Sequence, residues 1–265
     1  MLGIKDGTLE KISNWNNDFY VLADFDRTLT KGDSLSSWQV LDNCENIPEE
    51  YDIESSKLRD YYRPIELDLS VDDETKNKYM IEWWTKHIGL LVKYRFKEEI
   101  INKDTSNVDV MKFRSGAKDF LRIMHEKNIP VIIISAGIGN FIEKYLIHND
   151  VMYDNIHIVA NFIKFENGVA TGISNNIIHS LNKNEVSMPD NIKDLVRDRK
   201  NVLLFGDTID DIKMVNDEKR EQALKIGFLN ESTKKDFDAF KENYDIVGYD
   251  DATFTELIDS LEIFK

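Results

Sequence analysis

The sequence predicts an α/β protein: a doubly wound, mainly parallel sheet with a helical cap inserted into it. Short continuous apolar runs alternate with amphipathic stretches, and residues capable of chemistry fall at the ends of those runs. One connection between runs is also far longer than a crossover requires.

The apolar runs lie at 19–24, 130–135, 201–207 and 223–229. None alternates apolar with polar residues, so each needs cover on both faces, as strands of a parallel sheet do. Amphipathic stretches at 115–127, 139–148, 191–198 and 231–243 supply the helices of a strand–helix rhythm. The segment 31–111 breaks that rhythm, because a crossover needs only about a dozen residues. It reads as mostly helical, with residues 80, 84, 88 and 91 on one apolar face of a helix over 79–92. Residues 1–30 and 112–265 are therefore expected to build the core. Residues 31–111 are expected to cap the carboxyl ends of its strands, where open α/β sheets bind ligands. A further stretch, 161–178, carries Gly168 and Gly172 and reads as a β-hairpin.

Composition excludes several functions. The chain has 265 residues, 42% of them hydrophobic, enough for one sizeable core. Its 34 Lys+Arg against 49 Asp+Glu leave a net charge of −15. Such a surface repels polyphosphates and anionic membranes, so neither nucleic acid nor a membrane is an expected partner. The apolar runs are too short to span a bilayer, and the N-terminal stretch lacks the apolar segment of a signal peptide. A cytoplasmic monomer is the expectation. With one cysteine, Cys44, no intrachain disulfide can form, and the five histidines show no paired zinc spacing.

The candidate chemistry sits at the strand ends. The first strand ends in Asp24-Phe25-Asp26-Arg27-Thr28, the second in Ser135-Ala136-Gly137, and the third in Gly206-Asp207, with Asp210 and Asp211 following. Carboxylates converging there suit magnesium, which prefers oxygen ligands and keeps several waters. The Ser135 hydroxyl and backbone N–H groups opening a helix can hold phosphate oxygens. Each feature has an ordinary reading: the acids as turn formers or helix caps, Ser135 as an N-cap, Gly137 as a turn residue, Lys183 as a surface lysine. Four coincidences in order make the functional reading the better one.

Asp24-Phe25-Asp26-Arg27-Thr28-Leu29-Thr30 resembles the DxDxT signature of the haloacid-dehalogenase superfamily of phosphatases, whose core is Rossmann-like. Ser135, Lys183 and Gly206-Asp207-x-x-x-Asp211 fit its remaining motifs. The chain is similar, from about residue 20 to 250, to the cytosolic 5′-nucleotidase III (pyrimidine 5′-nucleotidase) family. Tyr61-Tyr62-Arg63-Pro64-Ile65-Glu66, Glu82-Trp83-Trp84-Thr85-Lys86 and Ser135-Ala136-Gly137-Ile138-Gly139 carry that likeness, as do Asn182-Lys183 and Leu224-Lys225-Ile226-Gly227-Phe228-Leu229-Asn230.

The resemblance implies a Mg²⁺-dependent 5′-nucleotidase working through an aspartyl-phosphate. Asp24 would be the nucleophile and Asp26 the acid and base, with Thr28, Ser135, Ala136, Gly137 and Lys183 around the phosphoryl group. Asp24, Asp207, Asp211 and the Asp26 carbonyl would serve the metal. In the cap, Glu66 and Trp84 would meet the base of a nucleoside monophosphate. The ordinary readings there are a solvent-facing acid and a packing anchor. The chain departs from the family at Lys86-His87-Ile88-Gly89, where members usually read Lys-Ser-His-Gly. His87 thus falls near the nucleoside and leaves the base open between CMP or UMP and 7-methyl-GMP. Two rivals stand beside this reading: a phosphatase of the same superfamily acting on phosphoserine or a like metabolite, and a non-catalytic binding protein on the same scaffold.

Overall fold

The continuously apolar runs become the middle of one sheet because both of its faces are covered. In the computed structural model, which describes residues 1–44, 47–68, 70–105, 111–174, 176–230 and 234–265, the strands run in chain order. They are β1 (Leu2–Ile4), β2 (Phe19–Ala23), β3 (Val131–Ile138), β4 (Ile156–Asn161), β5 (Ile163–Glu166), β6 (Val169–Ile173), β7 (Asn201–Gly206), β8 (Leu224–Phe228) and β9 (Ile246–Gly248). The main sheet has the order β1-β9-β8-β7-β2-β3-β4, and β5 pairs with β6 as a separate hairpin. Every pairing in the main sheet is parallel except β1 with β9. Along β2, Phe19, Val21 and Ala23 join one apolar cluster, while Tyr20 and Leu22 join another. A strand buried on both sides has no polar face to show, which is why the run reads without alternation.

From β2 the chain steps to β3 and β4 on one side, then returns to build β7, β8 and β9 on the other. The sheet's direction of growth thus reverses beside β2, and ligands bind outside the carboxyl ends of the strands at such a point. Asp24 and Asp207, each one residue beyond its strand, stand there.

The helices of the core are α1 (Thr8–Ile12), α6 (Ala117–Glu126), α7 (Gly139–His148), α8 (Asp190–Val196), α9 (Asp217–Arg220), α10 (Lys234–Asn243) and α11 (Phe254–Ser260). Between β2 and β3 come α2 (Ser37–Asp42), α3 (Glu49–Leu67), α4 (Asp73–Lys93) and α5 (Glu98–Thr105). The expected apolar face is real: Met80, Trp84, Ile88 and Leu91 of α4 are all buried. They do not share one core. Leu91, with Phe96, Ile100 and Ile101, continues the apolar cluster of the sheet, whereas Tyr62, Met80 and Trp84 form a small cluster of their own. The inserted segment is therefore fused to the core at one end and overhangs the strand ends at the other.

Four strands differ from the expectation. Strands β1 and β9 are too short for a periodicity to register, and β4, at the sheet edge, carries His157 and is only partly covered. The second strand runs past 135 to Ile138, with a shift of register between Ile134 and Ile138. Helix α7 opens only at Gly139, so Ser135, Ala136 and Gly137 lie in a strand-end bulge rather than at a helix start. Bulges commonly re-aim groups beside active sites. The start of the expected helix 231–243 falls at 231–233, outside the described residues.

One buried cation ties the loop after β2 to the rest. Arg114, 3% exposed, donates from Nε to Thr28 O (3.0 Å), from Nη2 to Arg27 O (2.6 Å) and Asn230 Oδ1 (2.8 Å), and from Nη1 to Ala252 O (3.0 Å). Its guanidinium also lies 4.0 Å from the centre of the Phe228 ring. Burial pulls its pKa down to about 10 against the pull of Asp207. The loop needs this hold, because Arg27 has a left-handed backbone (φ 62°) unfavourable to a residue with a side chain. Arg114→Met removes every one of these donors, and the buried Thr28 O and Ala252 O lose theirs, while Arg27 O keeps Asn230 Nδ2 at 3.0 Å. We expect it to lower unfolding free energy by about 2–4 kcal/mol, read by urea denaturation. A loss under about 0.5 kcal/mol, the scale of ordinary surface changes, would show that the loop does not depend on it.

Candidate active site

The site grows from the turn after β2. Asp24 is extended (φ −70°, ψ 158°) and its N–H donates to Phe205 O of β7 at 3.0 Å, which holds its side chain at the strand junction. The chain then doubles back, with Arg27 N donating to Thr30 Oγ1 at 2.7 Å. Thr28 is fully buried, and its Oγ1 has no hydrogen-bond partner among the described residues.

Lys183 reaches the same point from the segment between β6 and β7. Its Nζ donates to Asp24 Oδ1 and to Asp211 Oδ1, both at 2.7 Å, with all three side chains nearly inaccessible. Asp211 Oδ2 accepts from Asp207 N (3.0 Å), Thr208 N (2.9 Å) and Thr208 Oγ1 (2.9 Å). That fold-back requires Gly206, since a Cβ there would stand 2.4 Å from the Asp211 Cβ. Carboxylate oxygens of Asp24, Asp207 and Asp211 come within 4.8 Å of one another.

The charges do not balance. Burial opposes the Lys183 ammonium, but Asp211 and Asp24 outweigh it and hold its pKa above the ordinary value. Burial also raises Asp24, which Lys183 partly offsets, and raises Asp207 well above its usual range, reinforced by Asp24 and Asp211. Three carboxylates against one ammonium are short of positive charge, and an oxygen-only donor set suits a hard divalent cation. The residues therefore fit such an ion. Asp211 already accepts from a lysine, a hydroxyl and two amides, so Asp24 and Asp207 have the freer oxygens.

The Asp26 carboxylate stands apart from that cluster. Its Oδ1 accepts from Ser37 N and its Oδ2 from Ser37 Oγ, each at 3.0 Å, and Ser37 Oγ accepts in turn from Ile138 N at 3.1 Å. Burial, then the charge of Asp24, pushes Asp26 up to about 7, while the Ser37 bonds work the other way. Gly137 is needed here, because a Cβ would come 2.1 Å from Ser37 Oγ and 3.0 Å from Asp26 Oδ2. In the bulge, Gly137 N donates to Ser135 Oγ at 3.0 Å.

A cavity of about 420 Å³ joins these groups to the overhanging helices. Glu66, Trp84 and His87 all line it, as the sequence suggested. Glu66 accepts from Ser180 Oγ at 2.8 Å and pairs with Arg63. Trp84, 9% exposed, donates Nε1–H to Ala136 O at 3.1 Å. His87 lies under Trp38 (ring centres 4.5 Å), its Nε2 bonded to Tyr51 Oη and Ser55 Oγ, and burial lowers its pKa to about 4. Trp83 also lines the cavity, with a buried Nε1–H that has no partner.

Sequence reasoning missed Ser37, Trp38, Ser180 and Asn161. For the first two a signal existed: Ser36-x-x-Gln39 is a capping box, here formed, and it fixes the start of α2 beside the site. Ser180 and Asn161 gave none, since their partners are distant in sequence.

Residues 24–263 match the family described as Pyrimidine 5′-nucleotidase (UMPH-1). A human 7-methylguanosine phosphate-specific 5′-nucleotidase is 35% identical over 241 residues, covering 88% of this chain and 80% of the relative. The Drosophila melanogaster protein of the same description is 32% identical over 242 residues, covering 88% and 76%. Among solved structures, cytosolic 5′-nucleotidase IIIB bound to cytidine superposes with a TM-score of 0.87 at 29% identity, over 99% of this chain and 93% of that one. A substrate-bound phosphoserine phosphatase shares the fold alone, with a TM-score of 0.55 at 18% identity over 92% of this chain and 98% of that one. The chain belongs to the pyrimidine 5′-nucleotidase (UMPH-1) family.

Proposed function

We propose that this protein is a cytoplasmic, Mg²⁺-dependent 5′-nucleotidase. It hydrolyses nucleoside 5′-monophosphates, 7-methyl-GMP and CMP foremost, in a core of residues 1–30 and 112–265 capped by 31–111. One observation carries the reading: the Asp24–Lys183–Asp211 cluster and the aromatic overhang open into the same cavity. A phosphoserine phosphatase has no use for the indoles of Trp38, Trp83 and Trp84. Indole faces beside the carboxylates of Glu66 and Asp42 suit a flat ring, and a positively charged methylated one especially.

In the first step an Asp24 carboxylate oxygen attacks phosphorus, and the bond from phosphorus to the ribose O5′ breaks. Asp26, with its pKa near neutrality, gives its proton to that leaving oxygen. In the second step water attacks the aspartyl-phosphate, Asp26 takes back a proton, and the Asp24–phosphorus bond breaks to release phosphate. Lys183, Thr28 Oγ1, Ser135 Oγ and the backbone of Ala136 and Gly137 hold phosphoryl oxygens, which suits the unpaired state of Thr28. Asp24, Asp207 and the Asp26 carbonyl, with Asp211 beside them, would hold magnesium, which would supply the positive charge the acids lack.

Asp24→Asn should abolish phosphate release from CMP and 7-methyl-GMP, with a loss on the order of 10⁴ or more and an unchanged circular dichroism spectrum. Retention of a tenth of wild-type turnover, in protein free of contaminating phosphatase, would sink the nucleophile.

Chelation should silence the enzyme and lower its melting temperature, and magnesium should restore both. Saturation at about 100 times Kd adds about 2.7 kcal/mol to the folded state. Full turnover after exhaustive EDTA treatment would refute the metal site.

Glu66→Ala should cost about 10-fold or more in kcat/KM on nucleotides, the scale of a hydrogen bond to a charged group, and far less on p-nitrophenyl phosphate. An equal loss on both substrates would mean that Glu66 does not read the base.

A further inference from the structure

The Ala136 carbonyl oxygen receives three side-chain donors: Asn161 Nδ2 at 2.9 Å, Trp38 Nε1 at 3.0 Å and Trp84 Nε1 at 3.1 Å. A carbonyl oxygen has two lone pairs, and three N–H groups on one is a full shell. The donors arrive from separate places, Trp38 from α2, Trp84 from α4 and Asn161 from the end of β4. Asn161 is itself fixed, bonded to Ile178 O at 2.7 Å and from Ile178 N at 2.8 Å. Ile178 lies on the segment that leads to Lys183.

The peptide so gripped is the one whose N–H belongs to Gly137, and that N–H points to Ser135 Oγ. We infer that Trp38 and Trp84 are positioning residues for the phosphate-binding bulge: their indole N–H groups fix and polarise the Ala136–Gly137 peptide, joining the cap to the phosphoryl site. This rests on the nucleotidase reading, in which Ser135, Ala136 and Gly137 hold the phosphoryl group.

Two physical effects follow from the convergence. The plane of a peptide is rigid, so pinning its oxygen fixes the direction of its N–H. Hydrogen bonds accepted by the oxygen also strengthen donation by the nitrogen of the same amide. The bulge has lost its ladder partner on β4 between Ile134 and Ile138, so side chains rather than the backbone ladder supply this restraint. Trp84 is packed edge-on against Trp38 (6.2 Å) and Trp83 (4.8 Å), and its polar edge is committed to Ala136. Opening of the cap would therefore loosen the phosphate bulge.

The test removes the N–H and keeps a ring: Trp84→Phe and Trp38→Phe, in the full-length protein with magnesium. The substrate is p-nitrophenyl phosphate, which has no base to stack, and orthovanadate serves as a competitive probe of the phosphoryl site. Each variant should lower kcat/KM and weaken orthovanadate inhibition by about 3- to 10-fold, the worth of one hydrogen bond. The Gly137 amide nitrogen should shift upfield in the NMR spectrum, a signature that lost packing alone does not produce. Unchanged orthovanadate affinity and Gly137 resonance in two folded variants would overturn the inference. Ser135→Ala separates the two levels. If it weakens orthovanadate while both Phe variants do not, only the indole assignment falls; if it too has no effect, the phosphoryl assignment of the bulge falls with it.

Discussion

The pairing of Lys183 with Asp24 and Asp211 is the constraint the rest of the molecule is arranged around. Three nearly inaccessible charged side chains cost heavily in lost hydration, and such a group persists only where the surrounding bonds are complete. The supports can be traced. Asp211 is locked by its own turn and the absence of a Cβ at Gly206. The Lys183 segment is anchored two residues on, where buried Glu185 accepts from Tyr20 Oη and Asn216 Nδ2, each at 2.8 Å. Tyr20 lies on β2, so the strand that ends in Asp24 also carries the anchor for its counter-ion.

That arrangement explains how an acidic protein can take an anionic substrate. A net charge of −15 sets the distant field, which repels phosphate. Salt screens that field within about 8–10 Å, so only local charge decides binding. Locally the site presents the Lys183 ammonium, the unpaired Thr28 hydroxyl and room for a divalent cation among the acids. The surplus of carboxylate that looks unsuited to phosphate is what would hold such an ion under the proposed function.

The sheet was legible in the sequence where burial is two-sided. Phe19 to Ala23 and Val202 to Phe205 are apolar throughout because both faces are covered. Strands β1, β4 and β9 carry no such mark, since β4 keeps His157 and Asn161 and β1 and β9 span three residues each. In the site, Asp24, Asp207 and Asp211 stood out by their order and their place after strands, and Lys183 only through the family resemblance. The bulge at Ser135 was not, because a register shift is a property of two strands and leaves no period in one. Ser37 and Asn161 escaped for a related reason. Ser37 matters through Asp26 and Ile138, and Asn161 through Ala136 and Ile178, pairings that only the folded chain brings together.

Those same pairings decide how the two ends of the cavity communicate. Helix α2 touches both: Ser37 holds the Asp26 carboxylate and accepts from Ile138, while Trp38, the next residue, stacks on His87 and grips Ala136. On the opposite wall, Glu66 of α3 accepts from Ser180, three residues before Lys183. The overhang is thus bonded to the core through Asp26, the bulge at Ala136 and the segment leading to Lys183. A cap joined only by apolar contact could slide without changing the chemistry beneath it, because such contact is non-directional. Hydrogen bonds are directional, so movement of α2 or α3 changes the aim of Asp26, Gly137 or Lys183. Under the proposed function, a base seated among Trp38, Trp83, Trp84 and Glu66 would favour the position in which all three are aligned. Binding energy from the part of the substrate that does not react is then used at the part that does, which is how remote contacts raise turnover rather than affinity alone.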